Sequence, residues 1–381
     1  MENQDAKGRV DLVECREVHP GVTVTREILR GGVSEGVEMT TLSNGEIAVY
    51  VLETRGMGIW KVEVQQNGQT VRVGWDSPVK RPVNPRNVPL NAPDGCGWLF
   101  GFNEFVARCG LQWNGGAEFD EKTGNLRYSL HGLVQNTPAY PVTLEVDEEA
   151  QEVRLTGVVR EGRLFFNTLE LTSTVVLPFH GKAFRLEDKV RNVSARDAEM
   201  ELLYHINTGV PIASPGARMY VPYCRVMPRD DFAASQLGEI FDYHEPKAGE
   251  PEACFFYDLA AEADGSTGTF LRNPAGDFGV ALAFNKTEFP HFCQWKCQHA
   301  FQDGYVTGME PATSFPNQHS FEKANGRVIT LAPNAERQFH IGISFSTTPE
   351  DVAASIARIE ALQAKCPNPV MDEKIDPTWG N

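Results

Sequence analysis

Short runs of alternating apolar and polar residues recur along most of the chain, and this period-two pattern restricts the fold more than any other feature. Examples are EIAVYVLET at 46–54, WKVEVQQ at 60–66, EVRLTGVV at 152–159 and LELTSTVVL at 169–177. Each run is rich in β-branched and aromatic residues and is bounded by Gly, Pro, Asn or Asp, as strands usually are. The pattern predicts an all-β fold of large antiparallel sheets.

The connections between these runs carry turn signals and one long loop. QNG at 66–68, KTGN at 122–125 and ANG at 324–326 have the composition of tight turns. The segment 76–98 is dense in Pro and Asn and is too long for a hairpin. We expect it to be a functional or covering loop, because long loops without secondary structure are usually functional.

One helix is predicted near the end of the chain, over residues 348–365. Thr348 is its N-cap, Pro349 opens the first turn, and Asp351 completes a capping box. The apolar stripe that would pack on a sheet consists of Val352, Ile356, Ile359 and Leu362. With no internal repeat and no linker, we expect a single domain over 1–381, with its core at about 20–347 and a polar tail at 367–381.

Composition and charge exclude several classes of protein. Hydrophobic residues make up 41% of the 381 and charged residues 23%, which is ordinary for a globular protein. The formal net charge of −16 would repel nucleic acids and anionic membranes. The first residues do not resemble a signal peptide and no run is long enough to cross a membrane. We therefore expect a cytoplasmic protein whose eight cysteines are reduced.

Three strand-like runs end in residues suited to acid–base chemistry. In ELLYHINTG (201–209), alternation places His205 and Asn207 on one face, either as a satisfied structural pair or as the wall of a polar pocket. His131 precedes a glycine at the end of another run, and Glu310 ends a third. A histidine and a carboxylate together supply a proton donor and a proton acceptor near neutral pH.

The order of these motifs resembles that of a known family. It runs through Arg108 in FVARCG, His131 in SLHGLV, His205 in LLYHINTG and Glu310 in TGMEPATSFPNQ. In this the chain resembles the aldose 1-epimerases, or mutarotases, of the galactose mutarotase-like superfamily, and most closely an aldose 1-epimerase-like branch of it. The likeness extends over most of the chain, roughly from residue 41 to residue 345.

The resemblance implies a β-supersandwich with a sugar cleft across one of its sheets. It implies that His205 is the general acid that protonates the ring oxygen and that Glu310 is the general base for the anomeric hydroxyl. It also implies that His131 and Arg108 bind sugar oxygens. We expect the two catalytic groups to converge from opposite sides of a sugar-sized hollow, with His205 protonated at the outset, so that the rate falls well above neutral pH.

Further substrate-binding residues are expected around this pair. The family has an aspartate that grips adjacent sugar hydroxyls, and Asp230 and Asp231 are the nearest candidates, of which we take Asp231. Asn207 shares the face of His205 and is expected to contact the sugar. Trp295 could offer a flat face to sugar C–H groups, although a core or rim position is an equal alternative.

The expected reaction interconverts α and β anomers and needs no cofactor or metal. HFCQWKCQH (291–299) has a zinc-like spacing of Cys and His, but a strand would separate its two cysteines by about 13 Å, too far for one ion. A phosphorylated sugar, with Arg225 or Arg229 as its partner, is an open alternative. So are a carbohydrate-binding protein without turnover, another sugar isomerase or lyase on the same scaffold, and a homodimeric state.

Overall fold

The computed structural model describes residues 10–380, which form long strands joined by short helices and turns. The strands are β1 (Val10–His19), β2 (Val22–Leu29), β3 (Val37–Ser43), β4 (Ile47–Leu52), β5 (Gly58–Gln66), β6 (Gln69–Val73), β7 (Val106–Leu111), β8 (Glu118–Phe119), β9 (Leu126–Tyr128), β10 (Val142–Asp147), β11 (Glu152–Gly162), β12 (Thr168–Pro178), β13 (Ala183–Asn192), β14 (Ala198–Gly209), β15 (Arg218–Tyr220), β16 (Tyr223–Pro228), β17 (Ala253–Leu259), β18 (Ser266–Arg272), β19 (Gly279–Asn285), β20 (His291–Gln298), β21 (Tyr305–Ala312), β22 (Ile329–Leu331), β23 (Glu336–Ser346) and β24 (Val370–Met371). The helices are α1 (Asp231–Ser235), α2 (Phe301–Gly304), α3 (His319–Ala324) and α4 (Pro349–Gln363).

Two large sheets contain nearly all of these strands. The first has 14 strands in the order β1-β2-β3-β4-β5-β7-β14-β21-β20-β17-β16-β24, with β6 beside β5 and β22 beside β14. The second has eight, in the order β10-β11-β12-β13-β23-β19-β18-β15. Every pair inside them is antiparallel except β16 with β24. The prediction of an all-β fold with large antiparallel sheets is therefore confirmed.

The two sheets share one buried core, and an ion pair crosses it. Apolar side chains from both sheets form a continuous cluster, which includes Val62 of β5 and Val175 of β12. Within that layer Arg108 of β7 pairs with Asp188 of β13 at 2.5 Å, and neither side chain is exposed to solvent. The Tyr204 hydroxyl of β14 also donates to Asp188. The ion pair thus links the inner faces of the two sheets.

Strand β14 lies in the middle of the larger sheet, between β7 and β21, and both of its faces are buried. As the alternation predicts, Tyr204 and Ile206 belong to the core shared by the two sheets. Leu203 packs in a separate cluster on the other face, together with Ala107 of β7. That second face, away from the smaller sheet, is the one that presents His205.

The C-terminal helix forms nearly as predicted. Thr348 caps α4, accepting from the Asp351 backbone N–H at 3.1 Å, and the helix ends at Gln363. Its buried side chains pack on Phe270 of β18. None of the helices within residues 10–380 is long and apolar enough to span a bilayer.

The segment beyond the helix is ordered by contacts with the larger sheet. Val370 and Met371 add β24 in parallel beside β16. Trp379 packs on Phe315 at 5.1 Å between ring centroids. Arg225 binds Asp372 at 2.6 Å and also Asp376, so this guanidinium holds the C-terminal segment and is not available as the anion partner considered above.

Of the predicted turns, QNG is the tight hairpin between β5 and β6. Asn67 and Gly68 both have positive φ, of 50° and 76°, as a two-residue hairpin of this sequence requires. ANG at 324–326 instead forms the C-terminal end of the short helix α3, with Asn325 as the C-cap and a φ of 73° at Gly326. Positive φ at a glycine suits the end of a helix as well as a hairpin, which explains the difference.

Candidate active site

Asn207 fixes the orientation and the tautomer of His205. The Asn207 Nδ2 group donates to the backbone carbonyls of Glu104, at 3.0 Å, and of His205, at 2.9 Å. Its Oδ1 must therefore face the imidazole, where it lies 2.5 Å from Nδ1 of His205. Because an amide oxygen only accepts, Nδ1 carries a hydrogen, which leaves Nε2 to take up or release a proton.

Glu310 lies beside His205 on the neighbouring strand, and a glycine makes room for its carboxylate. Leu203 pairs with Ala312 and Ile206 with Met309, so residues 205 and 310 stand side by side on β14 and β21. A Cβ built on Gly308 would collide with the Glu310 Oε1 atom. The space beside the glycine is therefore taken by the carboxylate itself.

The two groups meet directly instead of lying on opposite sides of a hollow. Nε2 of His205 is 3.2 Å from Oε1 of Glu310, and both side chains are at least 94% buried. The contact is not aligned as a hydrogen bond, because Oε1 has no hydrogen-bond partner among the described residues. Adjacent groups suit a hemiacetal, since its hydroxyl oxygen and ring oxygen are bonded to the same carbon. The expectation that the imidazole of His205 and the carboxylate of Glu310 converge holds. The expectation that they lie on opposite sides of a hollow is wrong.

Burial determines where the proton of this pair lies. Desolvation raises the pKa of Glu310 to about 8, and the nearby carboxylate of Glu252 adds to the rise. Desolvation and the neighbouring His131 lower the pKa of His205 to about 3. At neutral pH the pair thus holds one proton, on Glu310. The expectation that His205 is protonated before a sugar arrives is corrected, because a lone imidazolium would be costly in this buried position.

His131 is held beside the pair by a strained backbone. Its φ is 59°, which is uncommon for a residue other than glycine, and its Nδ1 lies 2.8 Å from the Asn114 carbonyl oxygen. Nδ1 therefore donates, and Nε2 is left as an acceptor. The His131 and His205 rings are 5.6 Å apart between centroids. Burial lowers the pKa of His131, so that this ring is neutral at pH 7.

These residues line a cavity of about 300 Å³, at the lower end of the usual range of about 300–1,000 Å³ for small-molecule sites. The long loop contributes to its wall, because Cys96 and Trp98 stand at the loop's end. Trp98 is fully buried, and its Nε1 has no hydrogen-bond partner among the described residues. The rest of the lining is Leu99, Phe102, Gly116, Leu130, His131, His205, Arg229, Glu252, Cys254, Cys293, Trp295, Glu310 and Pro316.

The rim of the cavity holds a charged and aromatic group of three side chains. The Trp295 ring packs edge-on to His205, with centroids 5.2 Å apart. Its Nε1 donates to Oε2 of Glu252 at 2.7 Å. Oε1 of Glu252 pairs with Arg229 at 2.9 Å, and Arg229 also binds Asp230. The arginine is thus neutralised by two carboxylates, while Glu252 keeps nearly half of its side chain exposed.

Arg108 does not reach the cavity, which contradicts the expectation that it binds sugar. Arg108 lies opposite Tyr204 in the β7–β14 pairing, and so on the inner face of the sheet, whereas Ala107 lies opposite His205. Its guanidinium is consumed by Asp188 and by further acceptors that include the Met57 carbonyl. Arg108 is a structural residue of the core.

Two other expected sugar contacts also lie elsewhere. Asn207 is fully buried behind His205 and does not line the cavity. Asp231 is exposed in the first turn of α1, outside the cavity, and its neighbour Asp230 caps that helix by accepting from the Ala233 N–H. The expectation for Asp231 is wrong, because the pair of aspartates begins a helix. Asn207 contacts the His205 ring instead.

The structure therefore brings together His131, His205, Glu310 and Trp295, whose roles stay predictions. Sequence reasoning missed Trp98, although the unusual loop before it was a usable signal. It also missed Glu252, which is one of several charged residues in a polar stretch and has no sequence feature that sets it apart. No group of three or more His, Cys, Asp or Glu side chains within residues 10–380 is arranged to hold a metal ion.

Comparisons with known proteins agree with this fold. The chain matches a crystal structure of a candidate aldose 1-epimerase from Klebsiella pneumoniae with a TM-score of 0.87 and 30% identity, over 98% of this chain and 96% of that one. A galactose mutarotase-like protein from Clostridium acetobutylicum matches with a TM-score of 0.58 and 13% identity, over 87% of this chain and 100% of that one.

A galactose 1-epimerase from Lactobacillus acidophilus matches with a TM-score of 0.50 and 14% identity, over 89% of this chain and 98% of that one. The last two likenesses show the fold alone, which is that of the galactose mutarotases. No curated protein matches the chain. The model of a domain family of unknown function, DUF4432, matches residues 34–345. The chain therefore belongs to the DUF4432 family, on the galactose mutarotase-like fold.

Proposed function

We propose that the protein is an aldose 1-epimerase-type isomerase, which interconverts the α and β anomers of an aldose. The observation that supports this most is the His205–Glu310 pair, in which one donor and one acceptor stand 3.2 Å apart in the wall of a sugar-sized cavity. Glu310 Oε1 has no hydrogen-bond partner among the described residues, so it is free to engage a substrate. A protein that only binds sugar needs no such pair.

One shared proton is sufficient for the reaction. When the proton lies on His205, the Glu310 carboxylate takes the proton of the C1 hydroxyl while His205 protonates the ring oxygen. The C1–O bond to the ring oxygen breaks, C1 becomes a carbonyl, and the ring oxygen becomes a hydroxyl. Rotation about C1–C2 followed by the reverse transfers closes the ring on the other face. The pair ends with the proton count with which it began.

The remaining wall suits a neutral sugar. The Nε2 atom of His131 and the exposed carboxylate of Glu252 offer acceptors for sugar hydroxyls, and Trp295 offers an aromatic surface. The one guanidinium in the lining, that of Arg229, is already bound by two carboxylates. We therefore propose an aldose without a phosphate group, with Glu252 in the hydroxyl-gripping role that Asp231 was expected to fill.

The test is NMR saturation transfer between the two anomeric protons of each member of a panel of neutral aldoses. We expect the protein to accelerate exchange for at least one sugar, and Glu310→Gln to reduce the acceleration by about 10²–10⁴-fold. Glu288→Gln is the matched control, because it alters a carboxylate that pairs with His340 on the other sheet. Its exchange rate should equal that of the wild type.

Absence of accelerated exchange for every sugar would contradict the proposal. Calorimetric binding of the same sugars would then distinguish a carbohydrate-binding protein from an enzyme that acts on another substrate. A sugar that binds without exchange supports the first, and a panel without binding supports the second.

A further inference from the structure

Two cysteines lie on the floor of the cavity, between the arginine at its rim and the catalytic carboxylate. Nη1 of Arg229 donates to Sγ of Cys254 at 3.0 Å. The Cys293 thiol packs in one buried cluster with Cys254, and it lowers the pKa of the Glu310 carboxyl beside it. All four side chains line the same cavity. They form a continuous path from the rim to the His205–Glu310 pair.

Strand register places the two cysteines and Glu310 on three adjacent strands. Cys293 of β20 is the direct partner of Glu310 of β21, and Cys254 lies one strand further, on β17. Both thiols are almost fully buried, at 1% exposure for Cys293 and 3% for Cys254. An apolar side chain would satisfy such burial equally well, so the thiols are distinguished by the polar groups beside them, Arg229 next to Cys254 and Glu310 next to Cys293.

The two end groups, Arg229 and Glu310, determine the direction in which each thiol can donate. A guanidinium only donates, so the Cys254 sulfur accepts from Arg229 and its own S–H is free to donate to Cys293. When Glu310 is ionised its carboxylate only accepts, so the S–H of the neighbouring Cys293 is the group that can donate to it. This leaves the other side of the carboxylate to face Nε2 of His205.

We propose that Cys293 is a positioning residue for Glu310, and that Cys254 orients the Cys293 thiol. The proposal rests on the proposed function, in which Glu310 is the base. The thiol stabilises the carboxylate form and so opposes the desolvation that raises the pKa of Glu310. The other titratable and charged groups near the carboxylate are His205 on β14, Cys109 on β7, and Glu252 and Arg229 at the rim.

The experiment is a pH titration of the Glu310 carboxyl by difference infrared spectroscopy, in which the spectrum of Glu310→Gln is subtracted. Cys293→Ala removes the donor, so we expect the titration midpoint to rise by about half to one pH unit. Cys293→Ser restores a hydroxyl donor, so its midpoint should return to the wild-type value or below it. Cys254→Ala should shift the midpoint in the same direction as Cys293→Ala, by a smaller amount.

Cys297→Ala is the matched control. Cys297 is a buried cysteine on the same face of β20, but its thiol donates to the Gly304 carbonyl and does not line the cavity. A wild-type midpoint is expected for this variant. The proposal is overturned if Cys293→Ala titrates as the wild type does, if Cys297→Ala shifts equally, or if Cys293→Ser keeps the alanine value.

The infrared readout does not depend on turnover, so the two proposals can fail separately. If the midpoints shift but the protein exchanges no anomers, the role of the thiol is supported and the epimerase proposal is refuted. If the protein exchanges anomers but the midpoints do not shift, the epimerase proposal is supported and the role of the thiol is refuted. In an active protein, the alkaline limb of the pH–rate profile reports the ionisation of Glu310. Cys293→Ala should shift this limb to higher pH, and Cys293→Ser should return it to the wild-type position.

Discussion

Nε2 of His205 lies 3.2 Å from Oε1 of Glu310, in the wall of a cavity of about 300 Å³. Burial places their one shared proton on Glu310, with a pKa of about 8, while the pKa of His205 falls to about 3. In the proposed reaction the pair acts as a unit that requires one proton.

The rate of anomer exchange should fall as pH rises through about 8. Above that value the pair loses its only proton, and no donor remains for the ring oxygen. Below it the pair keeps one proton until His205 gains a second near pH 3, so kcat/KM should be flat from about pH 5 to 7. NMR exchange rates across pH test this. An alkaline limb near pH 6.5, the ordinary pKa of histidine, would contradict it.

Asn207→Leu should lower kcat by about tenfold or more with little change in KM. The leucine cannot accept from Nδ1, so His205 loses its fixed tautomer, and wrong tautomers are costly in histidine catalysis. Nitrogen NMR of the imidazole should show two tautomers in the variant and one in the wild type.

Asn207→Asp is the informative companion. It keeps an acceptor at Nδ1 and adds a negative charge, so the pKa of His205 should rise relative to the wild type. Equal kcat in wild type and Asn207→Leu would show that the amide is only a packing residue.

Gly308→Ala should lower kcat by about 10²-fold, because the new methyl group collides with Oε1 of Glu310 and displaces the base. Folding should be largely unaffected, since alanine is no worse than glycine within a strand. Gly342→Ala on β23 is the control, because its Cβ meets Ala283 only at an ordinary 3.8 Å. Activity within twofold of the wild type in Gly308→Ala would argue against Glu310 as the base.

Arg108→Met should destabilise the fold by about 3–5 kcal/mol, since it leaves Asp188 buried without its partner. Urea denaturation measures the loss. The double variant Arg108→Met/Asp188→Leu should recover most of it, because an apolar pair of similar volume replaces the ion pair. A stable Arg108→Met protein with a raised KM would contradict this account and would support a role for Arg108 in binding the sugar.

Much of the fold could be predicted because it depends on local patterns. Alternation identified β14 and correctly placed Tyr204 on one face and His205 on the other. The caps of α4 and the Asn67–Gly68 hairpin were equally local, since each depends on the backbone preferences of a few adjacent residues.

The failures concern choices that only tertiary structure makes. Alternation cannot tell which face of β7 is the inner one, and Asp188, the residue that holds Arg108 there, lies 80 positions away in the sequence. A pKa set by burial is likewise invisible in a sequence, so the proton was expected on His205 and not on Glu310. Glu252 reaches the site only because β17 pairs with β20.

The most direct measurement is the anomer-exchange rate of His205→Asn, Glu310→Gln and the double variant, with the best sugar of the panel. If the two residues share one proton and act as a unit, each single variant should lose at least about 10²-fold, and the double variant should be no slower than the slower single one. Full activity in either single variant, or losses that multiply in the double variant, would contradict the account.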